Sequence, residues 1–156
     1  TIGVLVNSNF GARHQLKVNG VAVGAQIEDL PASEFRDGSI CIVVATDAPM
    51  SSLQLERLSR RATMGLARTG ATAQNGSGDF VVAFSTTRRA MRNSGKRVIR
   101  LPELDISCID PLFEAVADAT EEAVLNSIFM ARTTIGRDGN IAHALPIGRC
   151  LKILNL

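Results

Sequence analysis

Short apolar runs separated by polar turns alternate along the chain with two long stretches of helical periodicity. Residues 2–6 read as a short buried strand. Residues 15–23 alternate, with Leu16, Val18, Val21 and Val23 set around Asn19-Gly20, the strongest short hairpin signal. Residues 24–38 have little periodicity and contain Pro31, which predicts a surface loop. Residues 40–45 form a nearly continuous apolar run, as expected of a strand buried on both faces. Ser51 or Ser52 can cap a helix running to about Thr69, with Gly70 as its stop. Leu55, Leu58, Ala62, Gly65 and Leu66 form its apolar stripe, and arginines lie on the other side. Residues 79–85 predict another apolar strand, and the basic segment 88–96 a loop with a short helix. Asp110-Pro111 supplies a cap and an early proline for a helix reaching about Arg132, with Leu112, Val116, Ala119, Ala123 and Ile128 facing inward. Residues 136–140 read as a loop and 146–156 as a short closing element.

Strands followed by long helices, without regular βαβ alternation, favour an α+β fold over a doubly wound sheet. The 156 residues suffice for one domain with its own core. With no Trp or Tyr and six Phe, that core has to be built from aliphatic side chains. A net charge of +2, with arginines dispersed and no aromatic interleaving, points away from nucleic acid. Arg60-Arg61 and Arg88-Arg89 read as solvated surface. Cys41, Cys108 and Cys150 are widely spaced, and His14 and His143 belong to no ligand motif, so neither a metal nor another cofactor is expected. Free thiols fit a reducing compartment, and the expectation is a cytoplasmic protein, or a periplasmic one if a signal precedes the given residues. No apolar run approaches the ~20 residues of a membrane helix. The chain opens on Thr1 inside an apparent strand, which suggests a fragment.

Chemistry enters at Gly38-Ser39. A polar stretch ends at the glycine, the serine follows, and an apolar strand begins at once. Read alone, this is a turn before a strand. It is also the layout of a self-cleaving precursor, in which a cut before Ser39 makes the serine an N-terminus. Such a serine carries its own base, because its freed α-amine has a pKa of about 8 and lies beside its hydroxyl. Gly38 would ease the cut, having no Cβ to crowd its carbonyl carbon. Asn7 ends the first strand, as a turn cap or as an amide donor to a developing oxyanion. In Asn75-Gly76-Ser77-Gly78-Asp79, residues two apart on an extended segment share a side, so Ser77 and Asp79 could both face the nucleophile. The same segment also reads as a glycine-rich turn, and as a phosphate nest it lacks the P-loop lysine.

The wider context resembles a known family. Asp37-Gly38-Ser39, Val43-Val44-Ala45-Thr46-Asp47-Ala48-Pro49 and Gln54-Leu55-Glu56-Arg57-Leu58-Ser59-Arg60-Arg61-Ala62 are similar to the start of the small subunit of serine aminopeptidases of the DmpA type. These are also called L-aminopeptidase/D-esterases and include the β-peptidyl aminopeptidases. The likeness extends through Gly65-Leu66-Ala67-Arg68-Thr69-Gly70, Gly76-Ser77-Gly78-Asp79-Phe80 and Ala83-Phe84-Ser85-Thr86, and upstream to Gly3-Val4-Leu5-Val6-Asn7-Ser8-Asn9-Phe10-Gly11.

The resemblance implies a four-layer αββα sandwich, similar in architecture to Ntn hydrolases but with its own connectivity. It implies that residues 1–38 end a large subunit and residues 39–156 form a small one, the two making part of one domain. It implies Ser39 as nucleophile, Asn7 as oxyanion donor, and Ser77 and Asp79 as partners of Ser39. The β-peptidyl branch has Glu where this chain has Asp79. A tyrosine that relatives use as a further oxyanion donor would have to come from a missing N-terminal part. The implied reaction releases N-terminal residues from short peptides, amides or esters. The implied assembly is a homo-oligomer, first guess a tetramer, of processed heterodimers. An ornithine acetyltransferase-like acyl transferase shares fold and self-cleavage but uses threonine, against which Ser39 argues. An inert interaction module is the non-enzymatic alternative.

Overall fold

A computed structural model describes residues 1–30, 38–87, 95 and 100–156. Three strands form the main sheet, β1 (Ile2–Asn9), β2 (Ser39–Thr46) and β3 (Gly78–Ser85), in the order β1-β2-β3. β1 runs antiparallel to β2, from Ile2↔Thr46 to Asn9↔Ser39. β2 and β3 are parallel, from Ser39↔Gly78 to Thr46↔Ser85. Parallel neighbours need a long crossover, and helix α1 (Ser52–Arg68) supplies it. The sheet therefore contains one βαβ unit, which the apparent lack of alternation in the sequence had hidden.

Helices α1 and α2 (Asp110–Phe129) cover one face of this sheet. Ile40, Ile42 and Val44 of β2 are fully buried against Leu58, Ala62 and Leu66 of α1 and Val116 and Val124 of α2. Each such side chain contributes about 1.5–3 kcal/mol by leaving water. The other face carries no helix among the described residues. Cys41 is exposed, and Val43 and Ala45 are half-buried. Within this chain residues 40–45 alternate and are buried on one face only, because among the described residues a single layer covers the strand.

Helix α1 begins as its sequence predicts. The Ser51 hydroxyl accepts from the Gln54 N–H (3.4 Å), and the Gln54 side chain accepts from the Ser51 N–H (2.9 Å). The buried Gln54 amide also donates to the Leu104 carbonyl at 2.7 Å, so this core polar group is satisfied. Gly70, at φ +99°, ends the helix in a conformation that favours glycine. Helix α2 starts one residue earlier than its cap signal, with Ile109 at the N-cap and Asp110 in the first turn. Its fully buried line is Val116, Thr120 and Val124, while Ala119 and Ala123 are half-buried. Thr120 can sit in the core because its hydroxyl donates back to the Val116 carbonyl at 2.6 Å.

The predicted hairpin at residues 15–23 keeps only its turn. Val18 and Val21 exchange both backbone hydrogen bonds at 3.0 Å around Asn19 (φ 49°) and Gly20 (φ 77°). Its flanks turn away as 3-10 segments at Arg13–Gln15 and Gly24–Gln26, because Val18 and Val23 are drawn into a second apolar cluster with Ile27 and Cys150. The predicted loop at 136–140 joins two short strands, β4 (Thr134–Ile135) and β5 (Ile141–Ala142), and α3 (Ile147–Ile153) is the closing element. The basic segment expected as a loop with a short helix at 88–96 lies outside the described residues apart from Gly95, as do residues 31–37 of the loop expected at 24–38, whose earlier part buries Ile27.

Gly65 of α1 packs directly against the backbone of α2. A Cβ there would come within 2.1 Å of the Ala117 carbonyl oxygen and 2.9 Å of the Glu121 nitrogen. Gly65→Ala should therefore destabilise the protein by about 1–3 kcal/mol, since rigid backbone has to move. Thermal or urea unfolding checks this, and a variant as stable as its parent would contradict the close crossing.

Candidate active site

Register alone arranges the open face of the sheet into rows. Asn9, Ser39 and Gly78 form the end row, and Asn7, Cys41 and Phe80 the next. Leu5, Val43 and Val82 follow, then Gly3, Ala45 and Phe84. The face thus grades from polar at the Ser39 end to wholly apolar at the other.

Ser39 opens β2, and its side chain is exposed on this face. Its Oγ accepts a hydrogen bond from the backbone N–H of Gly78 at 3.3 Å. The hydroxyl is thereby oriented by the main chain of the neighbouring strand. A Cβ on Gly78 would lie 3.4 Å from Ser39 Oγ and 3.1 Å from the Phe80 ring, so the missing side chain keeps the space beside the hydroxyl open. Gly38 is held more tightly still. A Cβ there would stand 2.4 Å from the Asn9 carbonyl oxygen and 2.9 Å from the Phe10 Cα, so only glycine lets the chain enter Ser39 against the end of β1.

Asn7 lies on the same face as Ser39, exposed, in the adjacent row. Ser77 sits just before β3 in a tight turn, closed by its N–H donating to the Gln74 carbonyl at 2.8 Å. Its hydroxyl donates to Asp79 Oδ1 at 3.2 Å, so these two side chains do meet. Their relation to Ser39 differs from the simple alternation the sequence suggested. Asp79 pairs with Ile40, which is buried on the helix side, and so alternates onto the face opposite Ser39. The two-residue rule brings Ser77 and Asp79 to each other, but register turns Asp79 away from Ser39. Among the described hydrogen bonds, the link from Ser39 to this pair runs through the Gly78 peptide.

Two contributors escaped the sequence reading. The Gly78 N–H is a backbone group with no side-chain signature, although a glycine opening a strand signals close approach. Phe80 reads in sequence as an ordinary strand residue, yet it is 65% exposed beside Ser39.

Ser39 stands on an open surface. A cavity of about 330 Å³ lies at the same end of the sheet, lined by Asn9, Phe10, Gly11, Thr69, Gly70 and Ile128, but behind the strand end that crowds Gly38. A concave site over Ser39 needs a second wall facing the sheet. Among the described residues, no group of three or more His, Cys, Asp or Glu is placed to hold a metal ion, and no helix is long and apolar enough to cross a membrane.

Comparison with known proteins identifies the family and the fold. The profile of peptidase family S58 matches residues 1–142. The chain is 39% identical to a beta-peptidyl aminopeptidase of Sphingosinicella microcystinivorans, over 99% of this chain and 43% of that protein. A solved protein of Pyrococcus horikoshii superimposes with a TM-score of 0.90 and 48% identity, over 99% of this chain and 42% of that one. The L-aminopeptidase D-Ala-esterase/amidase of Ochrobactrum anthropi, a prototype serine aminopeptidase with a variant of the Ntn hydrolase fold, superimposes with a TM-score of 0.87 and 30% identity, over 99% and 43%. The chain therefore shares that α+β fold while spanning less than half the length of these relatives.

Proposed function

The chain belongs to peptidase family S58, and on that premise we propose that it is the nucleophile-bearing part of a self-cleaving serine aminopeptidase. The observation that carries this reading is Ser39 itself. Its Oγ is held by the Gly78 N–H at 3.3 Å, directly after a glycine that backbone contacts leave no room to replace.

In the uncut chain, Ser39 Oγ attacks the Gly38 carbonyl carbon. The bond from that carbon to the Ser39 nitrogen breaks, the nitrogen takes the hydroxyl proton, and an ester joins Gly38 to Oγ. Water then hydrolyses the ester, leaving a Gly38 carboxylate and a free α-amine on Ser39. Eight register pairs between β1 and β2, from Ile2↔Thr46 to Asn9↔Ser39, would keep the two pieces in one sheet after the cut.

In the mature protein, the amine accepts the Oγ proton as Oγ attacks the acyl carbon of a short peptide, amide or ester. The proton passes to the leaving group, and water resolves the acyl-enzyme. The Asn7 amide donates to the oxyanion, an interaction worth about 3 kcal/mol in the transition state. Ser77 and Asp79 act as a coupled pair beyond the Gly78 peptide, the carboxylate orienting the Ser77 hydroxyl, and they reach Ser39 only through that peptide.

The rest of the enzyme would supply the missing wall. Leu5, Val82 and Phe84 are 71%, 61% and 45% exposed, a contiguous apolar surface of the kind that a facing layer covers. A second sheet over these rows would bury the other side of β2 and enclose Ser39, giving the four-layer sandwich. We also propose that processed heterodimers assemble into a homo-oligomer, first a tetramer. Light scattering of the full-length protein at micromolar concentration should report that mass, and a monodisperse heterodimer would exclude it.

Denaturing mass spectrometry of the full-length protein should show a new N-terminus at Ser39, and Ser39→Ala should leave one intact chain. A normal cut in that variant would sink the nucleophile assignment. Turnover should fall as pH drops through the pKa of the Ser39 amine, because the protonated amine has no lone pair for the Oγ proton. One residue added before the mature Ser39 should abolish turnover with the fold intact, since an amide nitrogen is not basic. Full activity in that extended variant would assign the base to another group.

A further inference from the structure

The two flanks of Ser39 differ in chemistry. On the β1 side the open face offers Asn7 and Asn9, and on the β3 side Phe80 and Val82. Asn7 and Phe80 share one row, on either side of Cys41. Two strand spacings put their backbones about 10 Å apart, enough for one acyl group to lie between them over the Cys41 floor. The Phe80 ring also reaches back towards the nucleophile. Its Cε2 and Cζ lie 3.1 Å and 3.7 Å from the point where a Gly78 Cβ would stand, and Ser39 Oγ lies 3.4 Å from that same point. Ring and hydroxyl thus border one small gap, which glycine leaves open.

We propose that Phe80 is a specificity-determining residue, an apolar wall for the side chain of the residue that is released, with Gly78 providing the clearance. The proposal rests on the reading of Ser39 as the nucleophile. An acyl group on Oγ has its carbonyl oxygen turned to the polar Asn7 side. Its side chain is then directed to the β3 side, where the 65% exposed Phe80 ring offers contact area and no hydrogen-bonding group. Released residues with large apolar side chains are therefore favoured over glycine and alanine.

The test compares kcat/KM of the full-length protein on the para-nitroanilides of Gly, Ala, Leu and Phe. Phe80→Ala should lower the Phe-to-Ala ratio of kcat/KM about tenfold, a size typical of apolar pocket contacts, while the Ala substrate changes by less than about threefold. Phe80→Leu should recover most of the ratio. Should Phe80→Ala fail to fold, Phe80→Trp takes its place, because a larger ring narrows the gap and should shift preference towards Ala. An unchanged ratio in the folded variants overturns the proposal, as does a loss equal for all four substrates, which is the mark of a purely structural role. A parent protein whose Gly38–Ser39 bond stays uncut overturns the Ser39 reading itself, whereas a cut, active parent with an insensitive ratio overturns only the role of Phe80.

Discussion

Burial of β2 on one face sets the rest of the arrangement. Ile40, Ile42 and Val44 are seated beneath α1 and α2, and strand alternation then commits Ser39, Cys41 and Val43 to the opposite face. Pairing carries that choice to both neighbours, which puts Asn7 and Phe80 on the face of Ser39 and Asp79 on the other. A slip of one residue would exchange the faces, placing the serine in the aliphatic core and three aliphatic side chains in the open. The packing energy of the core therefore also fixes which groups accompany Ser39.

Backbone groups do much of the positioning at the site. Ser39 Oγ is held by a peptide N–H, and the chain enters Ser39 where Gly38 presses on the end of β1. Main-chain donors on a paired strand lose little entropy when they bind, unlike a long side chain that has to be ordered. The Ser77–Asp79 pair then adds polar character one residue to either side of Gly78. The same open face that carries this chemistry carries an apolar patch at its far end. Enclosing the site and covering the patch are thus one structural requirement, to be met by whatever layer lies opposite the sheet.

Much of this was legible in the residues. Local rules are strong where a residue's own chemistry decides its conformation: Ser51 and Gln54 capping α1, Gly70 ending it, Asn19-Gly20 turning the chain. The apolar runs located all three main strands, and motif likeness singled out Ser39, Asn7, Ser77 and Asp79. The limits were equally physical. Thr120 reads as polar, yet it occupies the core because its hydroxyl finds a carbonyl one turn back. The flanks of Asn19-Gly20 look like strands, yet pairing stops at Val18 and Val21, and the side chains of Val18 and Val23 are buried in the cluster with Ile27 and Cys150.

The sequence by itself determined the element types and the α+β class, because periodicity and caps are properties of neighbouring residues, and the Gly38-Ser39 junction with its motif likeness pointed to Ser39. Only the tertiary structure decided that β2 and β3 run parallel, that α1 and α2 cover the Ile40 face of the sheet, and that Phe80 and the Gly78 N–H stand beside Ser39. Those facts depend on contacts between residues 39 positions apart or more, such as Ser39 and Gly78. Their geometry is set by which strand pairs with which and in what register, and local propensity does not encode either.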